Sequence, residues 1–548
     1  MRASDMAAHG ARACAGALSW WQTARGWRIG LALFVLGLAA TLAHAPFHSA
    51  PALVFALMLL VLALDTARTT ARPLRAGFWR GWTFAAGYFL GSTWWVANAF
   101  LVSAEEHAWL IWAPLTLLPG GLALFWGLAG SVYARLAPDS PMRIGLFAVL
   151  FTLVEFARSV MFSGFPWNLP GHVFEAGTPV SQMASLIGAL GLSAFVLFAF
   201  ASPAALSGRG HWLVRAAPLA VSVVLLAGFQ GWGSARLAAA EEGLTGTALR
   251  IVQVNVDQRE KRFANRLPIL EAYLDLTMQP GLEDVDAVIW PEGAIPTVML
   301  EDSSVLLRIE NTLPEGTRLW SGITRRERFP EGELYYNSLA ALRMGDNQVQ
   351  IEAVYDKVHL VPFGEGNPLM ALTGMFGFQT LSMNAPYYTP GPGAQTVRVA
   401  GLPGFAPLIC YEVIFARFAP RGEDRPGFLL NISNDAWYGN SAGPRQHLNQ
   451  ARYRAIEEGL PMVRSASLGA SGLIDPYGRA VRLSDPQMNE TLDINVPSAL
   501  QPVAYAVHGN FPWIACGLLL LGGLQLAVFI ASARNQRQQR RRLFSLRL

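Results

Sequence analysis

The sequence predicts a protein of two parts, an α-helical membrane bundle of about eight spans and a water-soluble domain of the layered α/β class. Of its 548 residues, 52% are hydrophobic and only 15% are charged, against about 25% charged residues in an average soluble domain. The acidic residues are unevenly placed, because residues 1–240 contain 7 of the 38 and the last 43 residues contain none. This composition excludes a disordered chain and a single soluble domain.

Eight apolar stretches have the length of a transmembrane helix, which needs about 20 apolar residues. They cover approximately residues 27–45, 50–66, 80–102, 109–135, 143–162, 179–206, 212–232 and 511–532. Arginines are concentrated before the first stretch, in every second loop after it and behind the last stretch. By the positive-inside rule, both termini are predicted to be cytoplasmic, and the soluble domain to lie on the outer face. The predicted domains are residues 1–239 (spans 1–7), 240–505 (catalytic) and 506–548 (span 8 and a basic tail).

The net charge and the positions of the charged residues indicate which partners the protein has. A net charge of +4 is too diffuse to indicate nucleic-acid binding, whereas arginine-rich ends suit anionic lipid head groups. Charges are rare inside the apolar stretches, which weighs against a transporter because charged residues in a membrane usually mark a transport path. Glu155 and Arg158, three residues apart in the fifth stretch, are predicted to pair with each other, with a functional role as the alternative.

Residues 241–505 alternate between strand and helix patterns. Strands are predicted at 249–256, 286–290, 319–323, 405–409, 428–433 and 462–465, a hairpin at 336–344 and 350–355, and helices at 266–278, 304–312 and 446–458. This alternation favours a layered α/β fold. In such folds ligands gather at the carboxyl ends of strands, and Glu292, Cys410 and Asn434 each follow closely on a predicted strand.

Cys410 is the candidate nucleophile. It is the only one of three cysteines predicted to lie in the outer domain, so no disulfide partner is available there although the compartment permits disulfides. The alternative is a buried, unreactive cysteine. Its place at a strand end, followed by Tyr411 and Glu412, favours a reactive thiol.

Lysine is rare in this chain, since Lys261 and Lys357 are the only two among 42 lysines and arginines. A lysine retained where arginine is the habit indicates a need for a compact ammonium, with an ordinary surface role as the alternative at both positions. Together Lys357, Cys410 and Glu292 supply a cation, a nucleophile and a base. A free thiol has a pKa of about 8.5 and needs help to ionise. Lys357 and the backbone N–H of Tyr411 are the predicted oxyanion donors.

The order of three motifs resembles the nitrilase superfamily. They are Trp290-Pro291-Glu292, the stretch 355–365 (YDKVHLVPFGE) that contains Lys357, and Cys410-Tyr411-Glu412. The resemblance implies an αββα sandwich with a Glu-Lys-Cys triad. The fusion to membrane spans, together with residues 164–167, 434–439 and 443–448, is similar to the apolipoprotein N-acyltransferase family.

This resemblance implies an acyl transfer in two steps. Cys410 attacks an ester of a phospholipid, typically phosphatidylethanolamine, and the resulting thioester is attacked by the α-amine of a diacylglyceryl-cysteine at the N-terminus of an apolipoprotein. Glu292 acts as base and acid, and Tyr411, Glu365 and Glu412 support the site. The implied location is the bacterial inner membrane with the catalytic domain in the periplasm. No metal, cofactor or nucleic acid is expected, and a monomer is predicted.

Candidate substrate contacts come from the same motifs and from an apolar loop at 368–378. The motif residues are Asn434, Trp437, Gly164 and Trp167. The loop is predicted to be a mobile lid that contacts lipid through Leu369, Met370 and Phe376, and the alternative is a loop that packs in the core.

Two other functions compete. A membrane-tethered amidase or thioesterase would use the same triad with water as acceptor. A transporter or receptor with an outer ligand-binding domain would not depend on Cys410, and it would have polar residues lining its spans.

Overall fold

The N-terminal part is a bundle of long helices, seen in a computed structural model that describes residues 26–366 and 387–517, without 209, 241–242, 331, 347 and 513, together with 519 and 523. The helices are α1 (Trp27–Ala40), α2 (Ala50–Ala67), α3 (Pro73–Thr93), α4 (Trp112–Leu136), α5 (Met142–Val160), α6 (Ala184–Ala201) and α7 (Trp212–Ala238). One helix corresponds to each of the seven predicted stretches before residue 240. Most of the predicted eighth stretch and the basic tail lie outside the described residues.

The predicted number of eight spans is approximate. Among the described residues, five helices are long and apolar enough to cross a membrane, namely Ala50–Ala67, Ala104–Leu136, Met142–Ser163, Val180–Ser207 and Trp212–Ala238. Helix α1 belongs to a shorter apolar segment, Trp27–Ala43. Helix α3 begins at Pro73, earlier than the predicted residue 80, because proline suits the first turn of a helix.

Close backbone contacts hold the bundle together. A Cβ atom added to Gly37 of α1 would collide with the carbonyl oxygen of Phe84 in α3. A Cβ atom added to Gly77 of α3 would collide with the carbonyl oxygen of Gly130 in α4. Small residues let the backbones of neighbouring helices approach closely. In lipid the hydrophobic effect does not drive helices together, so van der Waals packing of this kind stabilises the bundle.

Two sheets form the soluble domain. The strands are β1 (Leu244–Gln253), β2 (Ala287–Trp290), β3 (Arg318–Phe329), β4 (Gly332–Gly345), β5 (Gln348–Asp356), β6 (Phe405–Ile409), β7 (Phe428–Asn434), β8 (Met462–Ser467), β9 (Gly472–Ile474), β10 (Ala480–Leu483) and β11 (Glu490–Pro497). The first sheet has the order β11-β1-β2-β3-β4-β5, and the second β10-β9-β8-β7-β6. Strands β1, β2 and β3 are parallel, as are β6, β7 and β8.

The sheets pack face to face and are covered by helices on their outer sides. Ile251, Ile289 and Trp320 of the first sheet meet Ile409 and Leu430 of the second in one buried cluster. Helices α8 (Arg266–Thr277) and α9 (Ser303–Thr312) cover the first sheet, and α10 (Gly443–Glu458) covers the second. This arrangement is the αββα sandwich that the resemblance to the nitrilase superfamily implies.

Helix α10 also docks the soluble domain onto the membrane bundle. Gln446 Oε1 accepts a hydrogen bond from Trp167 Nε1 at 2.8 Å, and Asn449 Oδ1 accepts one from the backbone N–H of Ala176 at 3.0 Å. Gly188 interrupts α6 with a φ of 66°, and Glu457 Oε1 accepts the N–H of Ala189 at 2.7 Å. A carboxylate of the soluble domain therefore caps a break in a membrane helix, where a backbone N–H would otherwise lack a partner.

Candidate active site

Cys410 lies at the sharp turn that follows β6. All five residues of β6 are buried, and Cys410 opens a short 3₁₀ turn, Cys410–Ile414. Its φ is 49°, in the left-handed region that residues other than glycine seldom adopt and that often marks functional sites. The side chain is 6% exposed, and its Sγ lies 3.7 Å from the hydroxyl of Tyr438.

Glu292 is fixed by donors from three parts of the fold. Its Oε1 accepts hydrogen bonds from Lys357 Nζ at 3.3 Å and from Asn337 Nδ2 at 2.7 Å. Its Oε2 accepts the backbone N–H of Asn434, at the end of β7, at 2.9 Å. Glu292, which follows β2, therefore lies next to Lys357, which follows β5, and next to Asn434, the last residue of β7.

Lys357 is almost completely buried, with 1% of its surface exposed, and its ammonium also donates to Glu365 Oε1 at 2.8 Å. Burial alone would lower the pKa of Lys357, but the charges of Glu292 and Glu365 outweigh it, so the pKa lies well above its usual value. Lys357 is therefore a permanent cation at neutral pH. Asn337 Nδ2 bridges the two carboxylates, since it also donates to Glu365 Oε1 at 2.8 Å.

The pKa of the Cys410 thiol depends on the charges of Glu292 and Lys357. The pKa of Cys410 is raised to about 12, mainly by burial and in addition by the carboxylate of Glu292, while the ammonium of Lys357 opposes the shift. The resting sulfur is therefore a thiol, and a base must take its proton when it attacks. Glu292 carries the carboxylate whose charge the thiol experiences most strongly.

Glu412 joins the turn Cys410–Ile414, called the nucleophile turn below, to the segment that follows Lys357. Its Oε2 accepts the N–H of Ile409 at 2.8 Å, and its Oε1 accepts the N–H of Val358 at 2.6 Å, the N–H of His359 at 3.1 Å and the hydroxyl of Tyr355 at 3.0 Å. Burial raises the pKa of Glu412 to about 7, although these backbone hydrogen bonds oppose the shift. Its contacts assign Glu412 a supporting position between two parts of the site.

Replacing Glu412 by glutamine is expected to disturb both parts of the site at once. All four of its partners are donors, so a carboxamide must direct its N–H₂ group at an N–H or O–H. Leaving buried donors unsatisfied costs about 1–3 kcal/mol, so we expect a lower free energy of unfolding and slower reaction of Cys410. Thermal unfolding and alkylation of Cys410 measure the two effects. Glu423→Gln, at an exposed position, is the matched control, and a variant of Glu412 that behaves like it would contradict the assignment.

A buried polar network beneath Cys410 was not predicted from the sequence. His447 Nε2 lies 3.2 Å from the carbonyl oxygen of Cys410, and His447 Nδ1 lies 3.0 Å from Asp435 Oδ1. Arg464 Nη2 donates to Asp435 Oδ2 at 2.6 Å. Burial alone would raise the pKa of Asp435, but Arg464 and His447 hold it below its usual range. The signal that could have revealed this network is the arginine in the buried strand β8.

The membrane side of the turn is held by the loop after α5. Tyr411 donates its hydroxyl to the carbonyl oxygen of Gly164 at 2.8 Å, and Arg158 donates to the carbonyl oxygen of Trp167 at 3.1 Å. Arg158 is also paired with Glu155, which confirms the predicted ion pair. Trp167 is 1% exposed, and its ring stacks on His447 at 5.7 Å. The loop therefore braces the nucleophile turn.

The remaining predicted substrate contacts are placed as follows. Asn434 is 5% exposed, and its Nδ2 donates to Gln258 Oε1 at 2.8 Å. Trp437 is half-buried beside Tyr438. Leu369, Met370 and Phe376 lie outside the described residues.

Two family models match the chain. The family described as apolipoprotein N-acyltransferase N-terminal domain matches residues 36–202, and the family described as carbon-nitrogen hydrolase matches residues 249–505. An apolipoprotein N-acyltransferase of Caulobacter vibrioides is 39% identical over 499 residues, which are 89% of this chain and 92% of that protein. The chain belongs to the apolipoprotein N-acyltransferase family. A member from Rhodopseudomonas palustris is 37% identical, over 89% of this chain and 93% of that protein.

Membership of the apolipoprotein N-acyltransferase family confirms the predicted family and the predicted enzyme class. The chain is an acyltransferase with a carbon-nitrogen hydrolase domain and a membrane part of several apolar helices. Its partners include membrane lipids and a lipoprotein acceptor.

Proposed function

We propose that the protein moves a fatty acyl chain from a membrane phospholipid, through a thioester on Cys410, to the N-terminal α-amine of a diacylated apolipoprotein. This reaction is the last step of lipoprotein maturation. The observation that carries the proposal is the coupling of a buried thiol to a carboxylate and an ammonium, at Cys410, Glu292 and Lys357, in a domain docked on apolar helices.

In the first step Glu292 takes the thiol proton while Cys410 Sγ attacks the ester carbonyl of the phospholipid. The negative charge that develops on the carbonyl oxygen is stabilised by the ammonium of Lys357 and the backbone N–H of Tyr411; one such donor is typically worth about 2.7–4 kcal/mol. When the tetrahedral intermediate collapses, the C–O bond breaks and Glu292 returns the proton to the leaving oxygen. A lysophospholipid departs and the thioester remains.

In the second step the neutral α-amine of the acceptor attacks the thioester carbonyl and forms the C–N bond. Glu292 takes a proton from the attacking nitrogen, the C–S bond breaks, and the proton passes to the sulfur. The products are an amide at the lipoprotein N-terminus and the free thiol. In each step Glu292 takes a proton and then gives it back, so its carboxylate must stay in one position. The three hydrogen-bond donors around Glu292 hold it there.

The same proposal includes the setting of the enzyme. We infer a bacterial inner-membrane location, a periplasmic catalytic domain at 240–505, cytoplasmic termini, a phosphatidylethanolamine-like donor and a monomeric enzyme. The distribution of arginines supports the orientation, and the docking of α10 on the bundle supports a site close to the lipid. Glu365, Glu412 and Tyr411 are supporting residues, and Asn434, Trp437, Gly164, Trp167, Leu369, Met370 and Phe376 are the proposed substrate contacts.

Purified protein incubated with acyl-labelled phospholipid alone tests the proposal against the hydrolase alternative. A transferase should accumulate a stable adduct on Cys410 that hydroxylamine releases. Steady release of free fatty acid without an amine would instead identify water as the acceptor. The Cys410→Ala variant, incubated in the same way, is the control for label that binds without a covalent bond.

A further inference from the structure

One lysine of this chain contacts Glu292 itself, and the other contacts the residue that follows it. Lys357 Nζ lies 3.3 Å from Glu292 Oε1. Lys261 Nζ lies 3.3 Å from the carbonyl oxygen of Gly293, the residue that follows Glu292, and 3.2 Å from Ser467 Oγ. In a chain that otherwise uses arginine as its cation, this coincidence indicates that compact ammonium groups are required there.

Lys261 connects two sheets across the site. Gly293 lies in the turn after β2 of the first sheet, with a φ of 53°, and Ser467 is the last residue of β8 in the second sheet. The segment that contains Lys261 touches the site again through Gln258, whose Oε1 accepts a hydrogen bond from Asn434 Nδ2 at 2.8 Å. The backbone N–H of Asn434 in turn binds Glu292. The segment therefore contacts the surroundings of Glu292 at two places, at Gly293 through Lys261 and at Asn434 through Gln258.

The ammonium of Lys261 also interacts with the charge of Glu292. Burial lowers the pKa of Lys261 to about 8, and the carboxylate of Glu292 opposes this shift. Lys261 is therefore mostly charged at neutral pH. The other titratable groups that face Glu292 within the described part of the chain are Lys357, Cys410, Tyr388, Tyr438 and, through Lys357, Glu365.

We propose that Lys261 is a positioning residue for Glu292, whose ammonium holds the turn that carries the carboxylate in the place from which it takes the thiol proton. The inference rests on the proposed role of Glu292 as base. An arginine fork at this position would be larger and planar, whereas a single ammonium fits between one carbonyl and one hydroxyl.

The test is the pH dependence of Cys410 alkylation by iodoacetamide in the full-length protein, read by mass spectrometry of the Cys410 peptide between about pH 5 and pH 9. Lys261→Gln keeps a hydrogen-bond donor and removes the charge, and Lys261→Met removes both. We expect both variants to lower the rate and to bring the profile closer to that of Glu292→Gln, because the turn that carries the base is no longer held in place. Lys261→Arg keeps the charge and should retain more of the wild-type profile.

The controls separate this inference from the proposed function. Arg262→Met removes the neighbouring exposed charge and should leave the profile unchanged. In Glu292→Gln the rate should rise with pH throughout, because the buried thiol, whose pKa is raised to about 12, then loses its proton only to solvent. If Glu292→Gln keeps the wild-type profile, the proposed role of Glu292 fails. If Glu292→Gln changes the profile but Lys261→Gln and Lys261→Met keep it, only the inference about Lys261 is overturned. A lower melting temperature with the wild-type profile would identify Lys261 as a structural spacer.

Discussion

Replacing Cys410 by serine is expected to abolish formation of the acyl-enzyme while the protein stays folded. The expected loss is at least about 10⁴-fold, the scale seen when an enzyme loses its nucleophile. A serine hydroxyl fits the same buried turn, but its proton is far harder to remove than that of the thiol. The readout is hydroxylamine-sensitive label from acyl-labelled phospholipid, with melting temperature measured in parallel.

Cys516→Ser is the control for this prediction, because Cys516 is exposed and distant in sequence from the strand ends that form the site. It should retain wild-type labelling. If Cys410→Ser kept more than about 1% of the wild-type labelling rate, against the scale expected for loss of a nucleophile, another group would have to be the acyl carrier.

Replacing Glu292 by glutamine is expected to have the second-largest effect, a loss of about 10²–10⁴-fold in the rate of acyl-enzyme formation, which is the usual contribution of a general base. Each oxygen of Glu292 accepts hydrogen bonds from donors, so a carboxamide must also place its N–H₂ group against one of them. The rate of the variant should rise steadily with pH, because without this carboxylate the buried thiol, whose pKa is raised to about 12, reacts only after it has lost its proton to solvent.

The matched control is Glu283→Gln at an exposed position before β2, which should leave the rate and its pH dependence unchanged. The measurement is single-turnover labelling of Cys410 across a range of pH. A variant of Glu292 with the wild-type pH profile would show that a different group takes the thiol proton.

The proposed triad was predicted from the sequence in part because of how parallel strands are arranged. Glu292 and Cys410 each follow a strand of the parallel part of a sheet, Asn434 ends such a strand, and the carboxyl ends of these strands converge. The scarcity of lysine then singled out Lys357. The long helices and most strands were likewise predicted, since their apolar patterns are strong.

The supporting contacts could not be predicted, because they join residues that are distant in the chain. Asn337 lies inside a hairpin strand, yet it binds both Glu292 and Glu365. His447 belongs to a helix that is buried on both sides, by the second sheet and by the membrane bundle, so no exposed face marks it in the sequence. Strands β9, β10 and β11 were missed because β9 and β10 are short, β10 is exposed and β11 is only partly buried.

The most direct test of a thioester relay is to follow one labelled acyl chain through the protein. Protein is first labelled with acyl-labelled phospholipid, the excess donor is removed, and a diacylglyceryl-cysteine lipopeptide is added. The account predicts that the label leaves the Cys410 peptide and appears in equal amount as an amide on the lipopeptide. Product that forms while the label stays on Cys410, or that forms in the Cys410→Ala variant, would contradict it.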